Sequence, residues 1–203
     1  MAICNVNLEC KIKTDSTIVS TMGKNSVYEC IATYKRGLNS YEDVILHYNV
    51  STIGMKLEKD ACYNLKGILR SYGVETSTNH SYLRNYVNVK EVTLLETTVL
   101  EEMTLNQIEF KDCRVCKGPL QRKSNSETNP IDISWLVLEV EEKQDFVYYL
   151  NVSGWNKLAK AMIRINKGDL LSGTGALYTR YNSKGNLMTE IDLTKFVVEE
   201  VNE

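Results

Sequence analysis

Two stretches of the chain spell out one pattern. Residues 42–73, EDVILHYNVSTIGMKLEKDACYNLKGILRSYG, and residues 144–182, QDFVYYLNVSGWNKLAKAMIRINKGDLLSGTGALYTRYN, both start acidic and run through a strand-like segment to Asn-Val-Ser. A short amphipathic piece, a lysine and a Gly-x-Leu strand then follow in each. Asn49-Val50-Ser51 recurs 102 residues later as Asn151-Val152-Ser153, and Gly67-Ile68-Leu69 recurs 108 residues later as Gly175-Ala176-Leu177. The six extra residues in the second connection predict a longer helix there. Fixed-order self-similarity of this kind means that one supersecondary unit is used twice. A chain of 203 residues is long enough for two small domains.

Each half reads as five strands and one helix. Val6, Leu8, Cys10 and Ile12 alternate as a half-buried strand should. SVYECIATY, DVILHYNVS, ACYNLKGILRSY and SYLRNYVNVKEV supply the other four, with a weak helix expected near Ile53–Lys59. In the second half the strands are NQIEFKDCRVC, PIDISWLVLEV, FVYYLNVS, LLSGTGALYTRY and LMTEIDLTKFVV. Trp155, Leu158, Ala159 and Met162 recur at helical spacing between the third and fourth of them. The join falls within 97–106, giving domains 1–100 and 101–203. Five strands with a helix between the third and fourth is the order of an OB-fold, a partly open Greek-key barrel. Periodicity alone does not distinguish it from other small barrels; the fold class expected is mainly β, two tandem OB-fold domains, each with a short helix between strands 3 and 4.

Other signals narrow the chemistry. Gly173-Thr174-Gly175 has the look of a phosphate-cradling loop, but no lysine–hydroxyl pair leads from it into a helix. It runs instead into a β-rich segment, the turn cluster Asn182-Ser183-Lys184-Gly185-Asn186, and another β-rich segment, so the glycines punctuate strands. Cys113-Arg-Val-Cys116 lacks a second CxxC or a histidine pair, so the six cysteines read as buried thiols of a reducing compartment and no metal is expected. The formal net charge of −2 divides evenly between the halves, so any basic face must come from placement, not composition. No apolar run is long enough to span a bilayer, and MAICNVNLECKIK lacks the apolar core of a signal peptide. A cytoplasmic location is expected. With two histidines and neither a ligand cluster nor a nucleotide loop, no catalysis and no cofactor are expected.

The segment VSGWNKLAKAMIRINKGDLLSGTGALYTRY, with LMTEIDL after it, resembles the core of bacterial and phage single-stranded-DNA-binding proteins. The likeness rests on Trp155, Lys157-Leu158-Ala159, Lys167-Gly168, Gly175-Ala176-Leu177-Tyr178-Thr179-Arg180, Lys184-Gly185 and Thr189-Glu190. The tandem arrangement is similar to two-OB versions in Firmicutes and their mobile elements, with Gly67-Ile68-Leu69-Arg70-Ser71-Tyr72 as the matching first-unit motif. This resemblance implies base-stacking aromatics at Tyr149 and Trp155. Alternation places Tyr148, Leu150 and Val152 inward, with Tyr149, Asn151 and Ser153 outward; likewise Leu177 and Thr179 point in, Tyr178 and Arg180 out.

The candidate nucleic-acid-binding residues are thus Tyr149, Trp155, Lys157, Tyr178, Arg180 and Tyr181 in the second half, with Arg70 and Tyr72 in the first. Trp155 could equally belong to the helix's apolar stripe; Trp135 reads as core and His47 as a surface strand residue. The first unit's face reads as poorer in aromatics, suiting weak binding or a supporting role. The expected function is non-specific single-stranded DNA binding in replication or recombination. The resemblance also implies a homo-oligomer, a dimer presenting four OB units, with replication or recombination proteins as possible partners and no membrane partner. VVEEVNE has no spacer and no aromatic tip, so tail-mediated recruitment is not expected. A protein-interaction module on the same fold, such as a primosome-type adaptor, is the alternative.

Overall fold

The computed structural model describes residues 2–23, 25–75, 81–123, 130–143 and 146–199. His80, Gln144, Asp145, Glu200 and Glu203, on which parts of the sequence reading fall, lie outside them. The first barrel is built from β1 (Ile3–Ile12), β3 (Asn25–Gly37), β4 (Ser40–Asn49), β5 (Cys62–Glu75) and β6 (Ser81–Leu94), with β2 (Thr17–Met22) as an added strand on β3. β1 pairs antiparallel with β3 and β5, β3 with β4, and β5 with β6; β4 and β6 close the ring in parallel. The second is built from β7 (Asn106–Lys123), β8 (Asp132–Lys143), β9 (Phe146–Trp155), β10 (Leu170–Tyr181) and β11 (Leu187–Glu199). It repeats the ring: β7 pairs with β8 and β10, β8 with β9, β10 neighbours β11, and β9 and β11 are parallel. Both rings have the Greek-key order of an OB-fold, as the element order predicts.

The alternating residues supply the cores. Val6, Leu8, Cys10 and Ile12 are all buried, with Ala32, Leu46, Leu65, Leu69 and Val87 around them. The second barrel encloses Phe110, Leu136, Leu138, Val140, Leu150, Val152, Leu171, Leu177 and Ile191. Each Val, Leu, Ile or Phe side chain among them contributes roughly 1.5–3 kcal/mol by leaving water. The repeated glycines mark one structural position. A Cβ on Gly67 would lie 2.6 Å from the Asn88 carbonyl oxygen, and one on Gly175 would lie 2.5 Å from that of Asp192. The fourth strand of each ring presses on the fifth there, and only glycine fits. Gly185, at φ +77°, turns the β10–β11 hairpin with its N–H donating to the Asn182 carbonyl.

The helices occupy the predicted connections, and the second is longer: α1 is Val50–Ile53 and α2 is Lys157–Met162. The helix expected at Ile53–Lys59 lies earlier: the Asn49 side chain caps its start by accepting from the Ser51 N–H, and left-handed Gly54 (φ 78°) ends it after Ile53. Trp155 is the last residue of β9, not part of the helical stripe, and α2 buries Ala159 and Met162. Asn156, at φ 53° and ψ −112°, makes the turn between them.

Contacts divide the chain into two compact units. One comprises Asn5–Gln107 and Tyr178–Thr189; the other comprises Ile108–Leu177 with residues 2–4 and 190–199. The hairpin formed by the end of β10 and the start of β11 thus groups with the first barrel. Its attachment is polar and specific. Buried Tyr34 donates to Glu42 (2.9 Å), whose carboxylate also accepts the Thr179 N–H, and the Tyr34 and Thr179 hydroxyls are 3.0 Å apart. The Asn85 side-chain amide donates to the Thr189 carbonyl. All six cysteines are free thiols; five are buried and Cys116 is half-buried. Burial pushes Cys30 and Cys113 up to about 12, so neither ionises near neutrality. No described helix is long and apolar enough to cross a membrane.

Candidate nucleic-acid interface

On the second barrel the period-two pattern of β8 points Leu136, Leu138 and Val140 inward and leaves Trp135, Val137, Glu139 and Glu141 outward. β9 follows in register, with Trp135 opposite Ser153, Val137 opposite Asn151, and Glu139 opposite Tyr149. Trp135 is therefore not core: it is half-buried on the outer face, with the Arg122 guanidinium 4.4 Å from its ring centre. Trp155 lies on the same face, opposite Ile133, also half-buried; its Nε1 is buried and has no partner among the described residues. Lys157 is exposed at the start of α2. Ser153, predicted to point to solvent, is 1% exposed because it faces Trp135 across the ladder.

The face is graded in charge. Arg122, with Leu120 (58% exposed) two residues before it on β7, flanks Trp135. At the other end Tyr149, 37% exposed as predicted, faces Glu139, whose charge raises its phenol above the ordinary value. Beyond it opens a groove of ≈ 630 Å³ lined by Asp112, Glu139, Glu141 and Glu199 as well as Arg114 and Lys143. A polyanion is drawn to the Trp135–Arg122 end and away from this one.

The first barrel is richer in aromatics than its sequence suggests. Tyr72 is 38% exposed on β5, and the Tyr86 ring lies 5.8 Å from it on β6. His47 on β4 fills the gap, 4.1 Å from Tyr86 and 6.3 Å from Tyr72. Far from being a simple surface residue, His47 contacts Glu29 Oε2 through Nε2 (2.8 Å), while Arg84 donates to the other oxygen of Glu29 (2.7 Å). Burial lowers the His47 pKa despite the pull of Glu29, so the imidazole is neutral at pH 7. Arg70 sits one register step away, opposite Tyr86.

Tyr178, Arg180 and Tyr181 belong to the hairpin that groups with this barrel, whereas Tyr149, Trp155 and Lys157 belong to the other unit. Tyr178 lies under Arg36, 4.0 Å from ring centre to guanidinium. Arg180 is exposed. Tyr181 is 56% exposed, yet its hydroxyl donates to Asp43 (2.8 Å). Desolvation and that carboxylate push its phenol up to about 12. Burial alone would raise Asp43, but hydrogen bonds from Lys13, Thr33 and Tyr181 outweigh it and hold the carboxyl below its usual range. Arg122, Trp135, Tyr82, Arg84 and Tyr86 are the residues absent from the sequence-based set. Alternation against Leu136 and Leu138, and against Val87 and Val89, was the available signal for Trp135 and for the β6 residues.

No family model and no curated sequence matches the chain. Among solved structures it is similar to a deletion variant of the single-stranded DNA-binding protein from Thermus aquaticus, with a TM-score of 0.75 and 16% identity over 100% of this chain and 97% of that one. The wild-type Thermus aquaticus protein gives a TM-score of 0.73 and 17% identity, over 100% and 95%. The fold of the chain is accordingly that of the bacterial single-stranded-DNA-binding proteins in their tandem OB form.

Proposed function

We propose that the protein binds single-stranded DNA without sequence preference, serving replication or recombination in a bacterium, phage or plasmid. Single-strand binding needs π-faces for bases and cations that track the backbone. The observation that carries the reading is Trp135 on the outer face of β8 with Arg122 over its ring. Trp155 extends the platform and Lys157 adds charge at its edge; Tyr149, Arg70, Tyr72, Tyr178, Arg180 and Tyr181 complete the proposed set. Residues 1–100 and 101–203 are the proposed OB domains, and a dimer presenting four barrels in the cytoplasm is the proposed working form. Six unpaired thiols suit that reducing compartment.

The test is tryptophan fluorescence titrated with oligo-dT at low and moderate salt, with a duplex of equal length as control. Quenching by the single strand alone, weakening as salt rises, is expected. Neither quenching nor a mobility shift at low salt overturns the reading. The four carboxylates Asp112, Glu139, Glu141 and Glu199 on the second barrel favour the alternative, an adaptor that docks a basic protein partner and binds DNA weakly.

A further inference from the structure

The outer face of the first barrel holds a slot of ≈ 250 Å³, bounded by Ile31, Ile45, Tyr82, Arg84, Tyr181 and the hairpin residues Gly185 to Leu187. Its floor is apolar: Ile31 and Ile45 stand directly opposite each other on β3 and β4. Tyrosines come from two directions, Tyr82 on β6 and Tyr181 at the end of β10. Tyr181 is exposed over half its surface but is not loose. Its hydroxyl is tied to Asp43, which is itself held by Lys13 at 2.6 Å and Thr33 at 2.8 Å. Arg84 stands beside them, fixed by Glu29 at 2.7 Å with its side chain 32% exposed. A guanidinium has five donor positions, so one bond to Glu29 leaves capacity for another acceptor.

An apolar floor, two phenol rings and a fixed cation match a flat aromatic ligand that carries an anion. The slot is smaller than the roughly 300–1,000 Å³ of pockets that enclose whole small molecules. A single base fits that space. Splaying a base out of a single strand onto aromatic side chains is a common recognition mode for unpaired nucleic acid. We propose that this slot takes one unstacked base of the bound single strand, with Arg84 meeting its phosphate. The inference rests on the single-strand reading above and adds to it a base slot beside Tyr181, with Tyr82 and Arg84 as further contacts.

The test uses the full chain with oligo-dT carrying a single 5-iodouracil, crosslinked by long-wavelength ultraviolet light and mapped by mass spectrometry of the adducted peptides. Crosslinks at Tyr82 or Tyr181, alongside those near Trp135, are expected. Tyr82→Ala should weaken oligo-dT binding about fivefold or more, within the range for loss of one stacked base. Trp135→Ala should leave the slot crosslinks in place. Binding with no crosslink at Tyr82 or Tyr181, and with Tyr82→Ala unchanged in affinity, overturns the slot and leaves single-strand binding itself standing. Neither binding nor crosslinks at low salt overturns both. The crosslink map needs no variant, so misfolding of Tyr82→Ala would not hide the answer.

Discussion

Gly175→Ala adds one methyl group at a crowded crossing of the second barrel. That carbon would sit 2.5 Å from the Asp192 carbonyl oxygen and 2.8 Å from Ile191 Cγ2, where ordinary contact begins at 3.4 Å. The nearest atom is backbone, so no side chain can rotate away. β10 must instead lift from β11, loosening the packing of Leu177 and Ile191, both fully buried. Overpacking of this kind costs about 1–3 kcal/mol. At about 2–4 °C per kcal/mol for a chain of this size, Tm should fall by about 2–12 °C. Gly37→Ala is the control: a Cβ there meets nothing within 4 Å and the backbone is not left-handed. Gly67→Ala repeats the experiment in the first barrel against Asn88 and Val87. The assay is thermal unfolding followed by circular dichroism. A Gly175→Ala protein that melts with or above the wild type would refute the reasoning and leave the repeated glycines unexplained.

Trp135→Ala should weaken oligo-dT binding by about 5- to 150-fold, the loss of one stacked base at about 1–3 kcal/mol, measured by anisotropy. Arg122→Ala should weaken it less and lower the salt slope by about one. His47 has a folded pKa below its ordinary 6.5, so its contribution to stability is present above about pH 6.5 and lost as the pH falls through that value towards the folded one. His47→Gln should therefore flatten the decline in Tm from about pH 7 to about pH 5; an unchanged decline would show that other groups set it. Light scattering after gel filtration should give the mass of a dimer, and a mass near the 23.1 kDa of one chain would remove the four-barrel arrangement.

The fold was legible because two independent patterns agreed. Period-two alternation marked Val6, Leu8, Cys10 and Ile12 as inward, and the recurrence of Gly67 and Gly175 marked the same tight crossing in both barrels. β2 was missed because residues 17–21 are all exposed, so no buried face wrote alternation into them. The site was harder to read for a related reason. ISWLVLEV is a nearly continuous apolar run, and a run of that kind does not by itself say which residues face in. Ser134 is buried where its Oγ donates to the Ala159 carbonyl at 3.0 Å, and Trp135 is thereby left outside. Tyr178 and Arg180 were assigned outward on β10, where they are half-buried and exposed. Arg36 and Asp43, the partners of Tyr178 and Tyr181, lie more than a hundred residues away, and no local pattern announces them.

The hairpin around Gly185 sets an order of events during synthesis. The strands of the first barrel are complete in the chain by Leu94, but Tyr34, Glu42, Asp43 and Asn85 await partners numbered 179 to 189. At about 5–20 residues per second, those partners emerge several seconds after the barrel that needs them. Until then Tyr34 and Glu42 have each other, and Asp43 has Lys13 and Thr33, but the bonds these groups and Asn85 make to the hairpin are replaced by water. A hairpin made later in the chain completes the polar network of a barrel made earlier.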